Sequence, residues 1–165
     1  MKTTVVSIVG LLIAGPASAL DNAARQHATD FATKAAIANM FEVEAAKIEI
    51  DRGKAGDATQ FAQDMLKDHG VAGKVLSEAA KQDGVDLPIA LDNEHKSKLE
   101  GLKGSDAANM DQAYLSTQVT AHQQAVKLFE TYSKEGPDSQ LKRIHPSRAA
   151  GFWAPRVVTS VHGDR

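Results

Sequence analysis

The chain has 165 residues, of which 42% are apolar and 24% are charged, and its formal net charge is -2. This composition is typical of one globular domain with a hydrophobic core, and the near-neutral charge excludes a strongly basic surface for nucleic acid. Because cysteine is absent, disulfide bonds, thiolate metal sites, a cysteine nucleophile and a lipid-modified N-terminal cysteine are all excluded.

Residues 1–19 have the pattern of a secretory signal peptide. Lys2 supplies a positive start, residues 5–14 form an apolar run, and Ala17-Ser18-Ala19 has the small-x-small form that signal peptidase cleaves. The alternative is a membrane anchor, but the run is shorter than the roughly 20 residues that a spanning helix needs. We therefore predict cleavage after Ala19, a secreted and periplasmic protein, and no stable membrane span after cleavage.

The first predicted helix runs from Asp30 to Arg52, after a polar leader at residues 20–29. Its apolar residues recur at steps of three and four, which is the spacing of one helical face. That face contains Phe31, Ala35, Ala38, Phe41, Ala45 and Ile48. Asp30 stands where an N-cap belongs, and Gly53 stands where a left-handed residue often ends a helix.

The second predicted helix covers Asp57 to Gln82 and has a histidine on its apolar face. The face contains Ala58, Phe61, Ala62, Met65, His69, Ala72, Leu76 and Ala79. Asp57 and Gln60 have the spacing of a capping box at the start of this helix. The pattern therefore predicts that His69 points toward whatever the helix packs on.

Two further helices follow. The pattern from Asp92 to Lys103 predicts a short connecting helix. A long helix is predicted from Ser105 to about Lys134, and Gly136-Pro137 is its stop signal. The long helix also has a histidine on its predicted apolar face, which contains Leu115, Val119, His122, Val126 and Phe129. Residues predicted to flank this face are Asp111, Tyr114 and Gln118.

The helical pattern ends near Arg143. Asp138-Ser139 could begin a fourth helix, but Pro146 cannot continue one. Residues 20–142 contain 14 basic and 20 acidic residues, whereas residues 143–165 contain four basic and one acidic residue. We therefore predict a signal peptide at 1–19, a helical-bundle domain at 20–142, and a divergent, irregular tail at 143–165.

Several segments in this order resemble an exported bacterial family, the domain-of-unknown-function family 4142. They read NMFEVEAAKIEI, FAQDMLKDHGVAGKVL and DQAYLSTQVTAHQQAVKLFE, and the similarity covers about residues 27–142. The resemblance implies a ferritin-like, antiparallel helical bundle. The predicted fold is thus all-α, with three long helices and a short connecting helix. The fourth helix that the family normally has is short or lost here, because the sequence departs from the family pattern after about Arg143.

The histidines suggest a metal site, although not the di-iron site of ferritin-like proteins. Such a site needs Glu-x-x-His pairs on two helices, and this spacing is absent from the second predicted helix and from the long helix that follows Ser105. We instead formulate the hypothesis of a single transition-metal ion, Zn, Fe or Cu, held by Glu42, His69 and His122 with Asp68. No catalytic residue is predicted.

The alternative is a buried polar network without metal. In that interpretation His69 and His122 are hydrogen-bonded to partners on the same faces, and the bonds fix the register of the helices; the candidate partners are Glu42, Asp68, Tyr114 and Gln118. Two functions stay open: a non-catalytic exported bundle with a binding or envelope-stress role, or a ferritin-like metal-binding or redox protein. If the fourth helix is lost, we also expect either self-association through an exposed helical seam or poor stability.

Overall fold

The computed structural model describes residues 20–144, and within that range the protein is an all-α helical bundle. Between residues 20 and 144, four helices follow one another: α1 at Asn22–Arg52, α2 at Gly56–Gln82, α3 at Asn93–Lys103 and α4 at Met110–Glu135. The predicted fold class, with three long helices and one short connecting helix, is confirmed. Helix α1 packs against the other three helices, whereas α2 and α4 touch only slightly.

Helix α1 begins earlier than predicted. Its N-cap is Asp21, whose side chain accepts a hydrogen bond from the Ala24 N–H. The predicted leader at residues 20–29 and the predicted N-cap at Asp30 were therefore wrong. The physical reason is that Ala28 continues the apolar face by one turn and is fully buried, so packing extends the helix toward a good capping residue.

Helix α2 has the predicted face but not the predicted cap. Its buried residues are Ala58, Ala62, Met65, His69, Leu76, Ala79 and Ala80. The N-cap is Ala55, without a side-chain cap, so the capping box at Asp57 was wrong. Asp111 of α4 replaces it, because one of its oxygens accepts hydrogen bonds from the N–H groups of Lys54 and Ala55 at 2.9 and 3.1 Å.

Helix α4 is rotated relative to the predicted face. Its buried residues are Met110, Tyr114, Gln118, His122, Ala125, Phe129 and Tyr132. Val119 and Val126 were predicted to be buried but are 42% and 39% exposed. The observed face is complete at three-and-four spacing and includes two tyrosines, so burying aromatic area outweighs burying the two valines.

Among the residues that the structure describes, two apolar clusters form the core. The first joins the start of α1 to the ends of α2 and α4, and its aromatic centre is Phe31, whose ring stacks on Tyr132 at 3.8 Å and meets Phe129 edge-on. The second cluster includes Phe41, Met65 and Tyr114. On α1, α2 and α4 alike, the junction between the clusters contains polar side chains.

The chain after α4 forms turns up to Ile144 rather than a helix. The two oxygens of Asp83 accept hydrogen bonds from the N–H groups of Gln140 and Leu141, and Leu141 is fully buried. The fourth helix considered at Asp138-Ser139 is thus absent from the described residues. The signal peptide at 1–19 and nearly all of the predicted tail lie outside them. Within 20–144, no helix combines the length and apolarity that crossing a membrane requires.

Gly53 ends α1 in an extended conformation, with φ -63° and ψ 155°, so the predicted left-handed residue was wrong. Glycine is required here for space, because a Cβ would lie 2.6 Å from the backbone oxygen of Glu49. We expect Gly53→Ala to lower the free energy of unfolding by about 1–3 kcal/mol, as measured by denaturant unfolding. The matched control is Gly56→Ala, where a Cβ meets nothing within 4 Å. Equal stability of the two variants would contradict this steric account.

Candidate metal centre

Three side chains from three helices meet at the junction of the two clusters. Glu42 of α1, His69 of α2 and His122 of α4 are 0%, 1% and 3% exposed. Each offers a ligand atom, and these atoms all lie within 4.8 Å of one another. The helical faces position them: Glu42 follows Phe41, His69 lies one turn after Met65, and His122 lies one turn after Gln118.

The separations within this group are compatible with a metal ion between the side chains. Glu42 Oε2 lies 3.3 Å from His69 Nε2 and 3.3 Å from His122 Nδ1. Two ligands of a tetrahedral zinc ion, each about 2.0 Å from the metal, are about 3.3 Å apart. Two of the three ligand pairs therefore have the spacing of a tetrahedral zinc site, the third pair lies within 4.8 Å, and a carboxylate with two imidazoles is a suitable donor set.

Outer hydrogen bonds orient both histidines. His69 Nδ1 lies 3.0 Å from Asn39 Oδ1, and His122 Nδ1 lies 2.8 Å from the backbone oxygen of Gln118. An oxygen acceptor at Nδ1 of His69 places the proton there and leaves the Nε2 lone pair toward Glu42. The proton on His122 Nδ1 lies between the oxygens of Gln118 and Glu42, so a metal ion binding at this nitrogen would have to displace it.

The buried carboxylate needs a positive partner. Neither oxygen of Glu42 forms a hydrogen bond of good geometry with any residue in the range 20–144. Its described contacts are the two imidazole nitrogens at 3.3 Å. Burying an ionised carboxylate without compensation is costly, and either a proton on a histidine or a metal ion between the three groups would supply the charge.

Asp68 does not join these three residues, although the sequence hypothesis included it. Asp68 is half-buried, and within the described range 20–144 its carboxylate does not converge with the ligand atoms of Glu42, His69 and His122. Adjacent residues on an α-helix point about 100° apart. When His69 faces the core, Asp68 is therefore directed to the side of α2.

The polar contacts of Tyr114 and Gln118 in the structure also differ from the network that the sequence predicts. Tyr114 and Gln118 were predicted to flank the core and are instead fully buried. Gln118 bonds to His122 through its backbone oxygen, while its side-chain amide and the Tyr114 hydroxyl have no hydrogen-bond partner among residues 20–144. Asn39 was not predicted; the available signal was its position three residues before Glu42 on one helical face.

A second acidic group lies farther along α1. Glu49 is fully buried, and its pKa is raised to about 7 by burial and by the neighbouring Asp111. The pKa of Asp111 is held below its usual range, mainly by the N–H groups of Lys54 and Ala55. Burial, together with the charges of Glu42 and Glu49, raises the pKa of Tyr114. Tyr114 is therefore close enough to both glutamates to sense their charges.

Comparison with known proteins gives a family but no function. A family model described as "Domain of unknown function (DUF4142)" matches residues 14–150. No curated protein matches the chain, and no solved structure does so either. Any function must therefore be inferred from the residues of the chain.

Proposed function

The chain belongs to the DUF4142 family, and we propose that it is a metal-binding protein in which Glu42, His69 and His122 hold one transition-metal ion. The observation that carries this proposal is the convergence of three buried ligand atoms within 4.8 Å, each from a different helix. A carboxylate with two imidazoles suits Zn, Fe or Cu. Bound metal would tie α1, α2 and α4 together at the point where their apolar clusters separate.

The proposal favours binding over catalysis. All three ligands are at most 3% exposed. A surface groove between α1, α3 and α4 is lined by residues such as Phe41 and Leu102 but contains none of the three. A substrate in that groove would therefore not touch the proposed metal ligands.

We propose that the protein acts in the periplasm. The support is the signal-peptide pattern at residues 1–19, which ends in Ala17-Ser18-Ala19. A protein without disulfides must obtain its stability outside the cytoplasm from packing and ligands. A buried metal ion bound to the folded state would contribute such stability.

Self-association is a further part of the proposal. Val71 and Val75 on α2 are 44% and 47% exposed, and Val119 and Val126 on α4 are also exposed. Exposed apolar side chains on helices are suited to contact with a second copy. A sizing column run on the purified protein tests this, because a monomer at all concentrations would contradict it.

The test of metal binding is elemental analysis of protein purified without chelators from the periplasm. We expect about one transition-metal ion per chain, as for a three-ligand site. Samples that stay metal-free after incubation with Zn²⁺, Fe²⁺ and Cu²⁺ would contradict the proposal. In that case the same residues would form the metal-free polar network.

A further inference from the structure

The surface groove between α1, α3 and α4 is large enough for a small organic ligand. Its volume is about 660 Å³, which is within the range of small-molecule sites. On α4 its lining residues extend from Ala113 to Leu128. Because a helix rises about 1.5 Å per residue, the groove is about 22 Å long. A groove of this length suits an extended molecule better than a compact one.

The floor of the groove is apolar. Its apolar lining residues on α1 and α4 include Ile37, Ala38, Phe41, Ala121, Ala125 and Leu128. Helix α3 lines the groove at the Phe41 end, where the His95 ring meets Phe41 edge-on at 5.3 Å. A ligand in the groove would therefore bury an apolar surface along most of its length.

The charged side chains that line the groove are paired, with one exception. Asp92 Oδ1 lies 2.7 Å from His95 Nδ1, and Lys98 Nζ lies 2.7 Å from Glu94 Oε1. Lys34 is exposed, and its side chain forms no ion pair or hydrogen bond within residues 20–144. Lys34 therefore leaves a positive charge available to a ligand, seven residues before Phe41 on α1.

The uncharged polar side chains of α4 in the groove show the same pattern. Thr117 Oγ1 donates to the backbone oxygen of Ala113 at 2.8 Å, and Thr120 Oγ1 donates to that of Ser116 at 3.1 Å. These bonds to the helix satisfy both hydroxyls without a ligand. Gln124 is the exception, since it is exposed and its amide forms no hydrogen bond among the described residues.

Lys34 and Gln124 lie at the same end of the groove. Helices α1 and α4 are antiparallel, because the ring of Phe31 near the start of α1 meets that of Phe129 near the end of α4, at 5.1 Å between centroids. Lys34 follows Phe31 by three residues, and Gln124 precedes Phe129 by five. At about 1.5 Å per residue, the two positions differ in height by about 3 Å. Their ammonium and amide N–H groups can donate to the same anionic group.

We propose that this groove binds a long-chain fatty acid, with its carboxylate at Lys34 and Gln124 and its acyl chain on the apolar floor toward Phe41. The carboxylate matches the unpaired ammonium, with which it forms a charge-assisted hydrogen bond. An acyl chain suits the remaining length because it asks for no polar partner, and the polar groups there are already paired. None of the proposed metal ligands lines the groove, so this inference is independent of the proposed function.

Isothermal titration calorimetry of the whole chain, freed of metal and lipid, tests the inference. The ligands are octanoate, decanoate and dodecanoate, each below its micelle concentration. We expect one molecule per chain and an affinity that rises about fourfold for each methylene group that is buried. Lys34→Gln should weaken dodecanoate binding about three- to tenfold and leave the binding of uncharged dodecanol unchanged. Lys67→Gln is the matched control, because Lys67 is exposed on α2 and does not line the groove.

A second variant tests the path of the acyl chain. Gly101 of α3 lines the groove, and a Cβ there meets nothing within 4 Å, so Gly101→Trp adds a ring without disturbing the packing. It should weaken dodecanoate binding about tenfold or more, because it displaces several methylene groups. Gly70→Trp on α2 is the matched control, since a Cβ at Gly70 also meets nothing within 4 Å and Gly70 lies outside the groove.

Three results would overturn the inference. The first is a wild-type chain that binds none of the three fatty acids. The second is dodecanoate binding that is equal in the wild type, Lys34→Gln and Gly101→Trp, which would place the ligand elsewhere. The third is a dimer that Gly101→Trp dissociates and that binds no dodecanoate, which would assign the groove to a second copy of the chain.

Discussion

His122→Ala is expected to weaken Zn²⁺ binding by more than about 100-fold, because removing even an outer-shell partner of a metal ligand costs about 10–100-fold. His122 contributes one of the three ligand atoms that lie within 4.8 Å of one another. Two ligands, Glu42 and His69, would remain. The measurement is a competition titration of the metal-free protein with a chelator of known affinity, and His69→Ala should behave in the same way.

The matched control for this variant is His95→Ala. His95 is a histidine of α3 that lies beside Asp92, at 2.7 Å, and among residues 20–144 it belongs to no group of converging ligands. We expect its Zn²⁺ affinity to equal that of the wild type. If His122→Ala and His95→Ala weaken binding equally, the metal is held at some other place, and the assignment of Glu42, His69 and His122 is wrong.

Glu49→Gln is expected to remove most of a pH dependence of stability worth about 3 kcal/mol. The pKa of Glu49 is about 7 in the folded protein and 4.5 as its ordinary value, and each unit corresponds to about 1.4 kcal/mol. The folded state holds this proton more tightly than the unfolded state. Stability from Glu49 is therefore fully present below pH 4.5 and is lost as the pH rises toward 7.

Denaturant unfolding at a series of pH values checks this prediction. Above pH 7 the Gln variant should be more stable than the wild type, and the difference should disappear near pH 4.5. The pKa of Asp111 is lowered, so its effect on the pH dependence of stability has the opposite sign. Its stabilisation is lost as the pH falls through that pKa. Glu44→Gln should follow the wild type. Parallel pH curves for the wild type and Glu49→Gln would contradict a raised pKa.

The faces of α1 and α2 could be predicted from the sequence because apolar residues dominate them. In α2, one rotation of the helix buries Ala62, Met65 and Leu76 together. His69 lies on the same face and is buried with them. The start of α1 was missed because residues 20–29 look polar, although Asp21 caps the helix and Ala28 packs in the core. A capping residue with one buried alanine is a weak signal in a sequence.

The rotation of α4 could not be predicted from apolar residues alone. The sequence offers Val119 and Val126 as core residues, but the structure buries Tyr114 and Gln118. A pattern based on hydrophobicity cannot anticipate this, because two polar groups become acceptable in a core only when other polar groups share their surroundings. The glutamates of α1 form those surroundings, and they come from a distant part of the sequence.

The candidate site was predictable to the extent that its residues follow helical faces. The sequence hypothesis named Glu42, His69 and His122, and the structure brings these three together. It also named Asp68, which the structure leaves aside because adjacent helical residues diverge. Asn39 was missed because the sequence does not show which residue pairs with a single polar side chain on a helix. In the structure, Asn39 Oδ1 lies 3.0 Å from His69 Nδ1.

The most direct test of the central claim is a crystal structure of protein loaded with Zn²⁺, with diffraction data collected on both sides of the zinc absorption edge. We predict an anomalous peak at about 2.0–2.2 Å from a Glu42 oxygen and from one ring nitrogen each of His69 and His122. A structure without a peak at this position, in which protons alone join the three side chains, would contradict the metal site and leave a buried polar network.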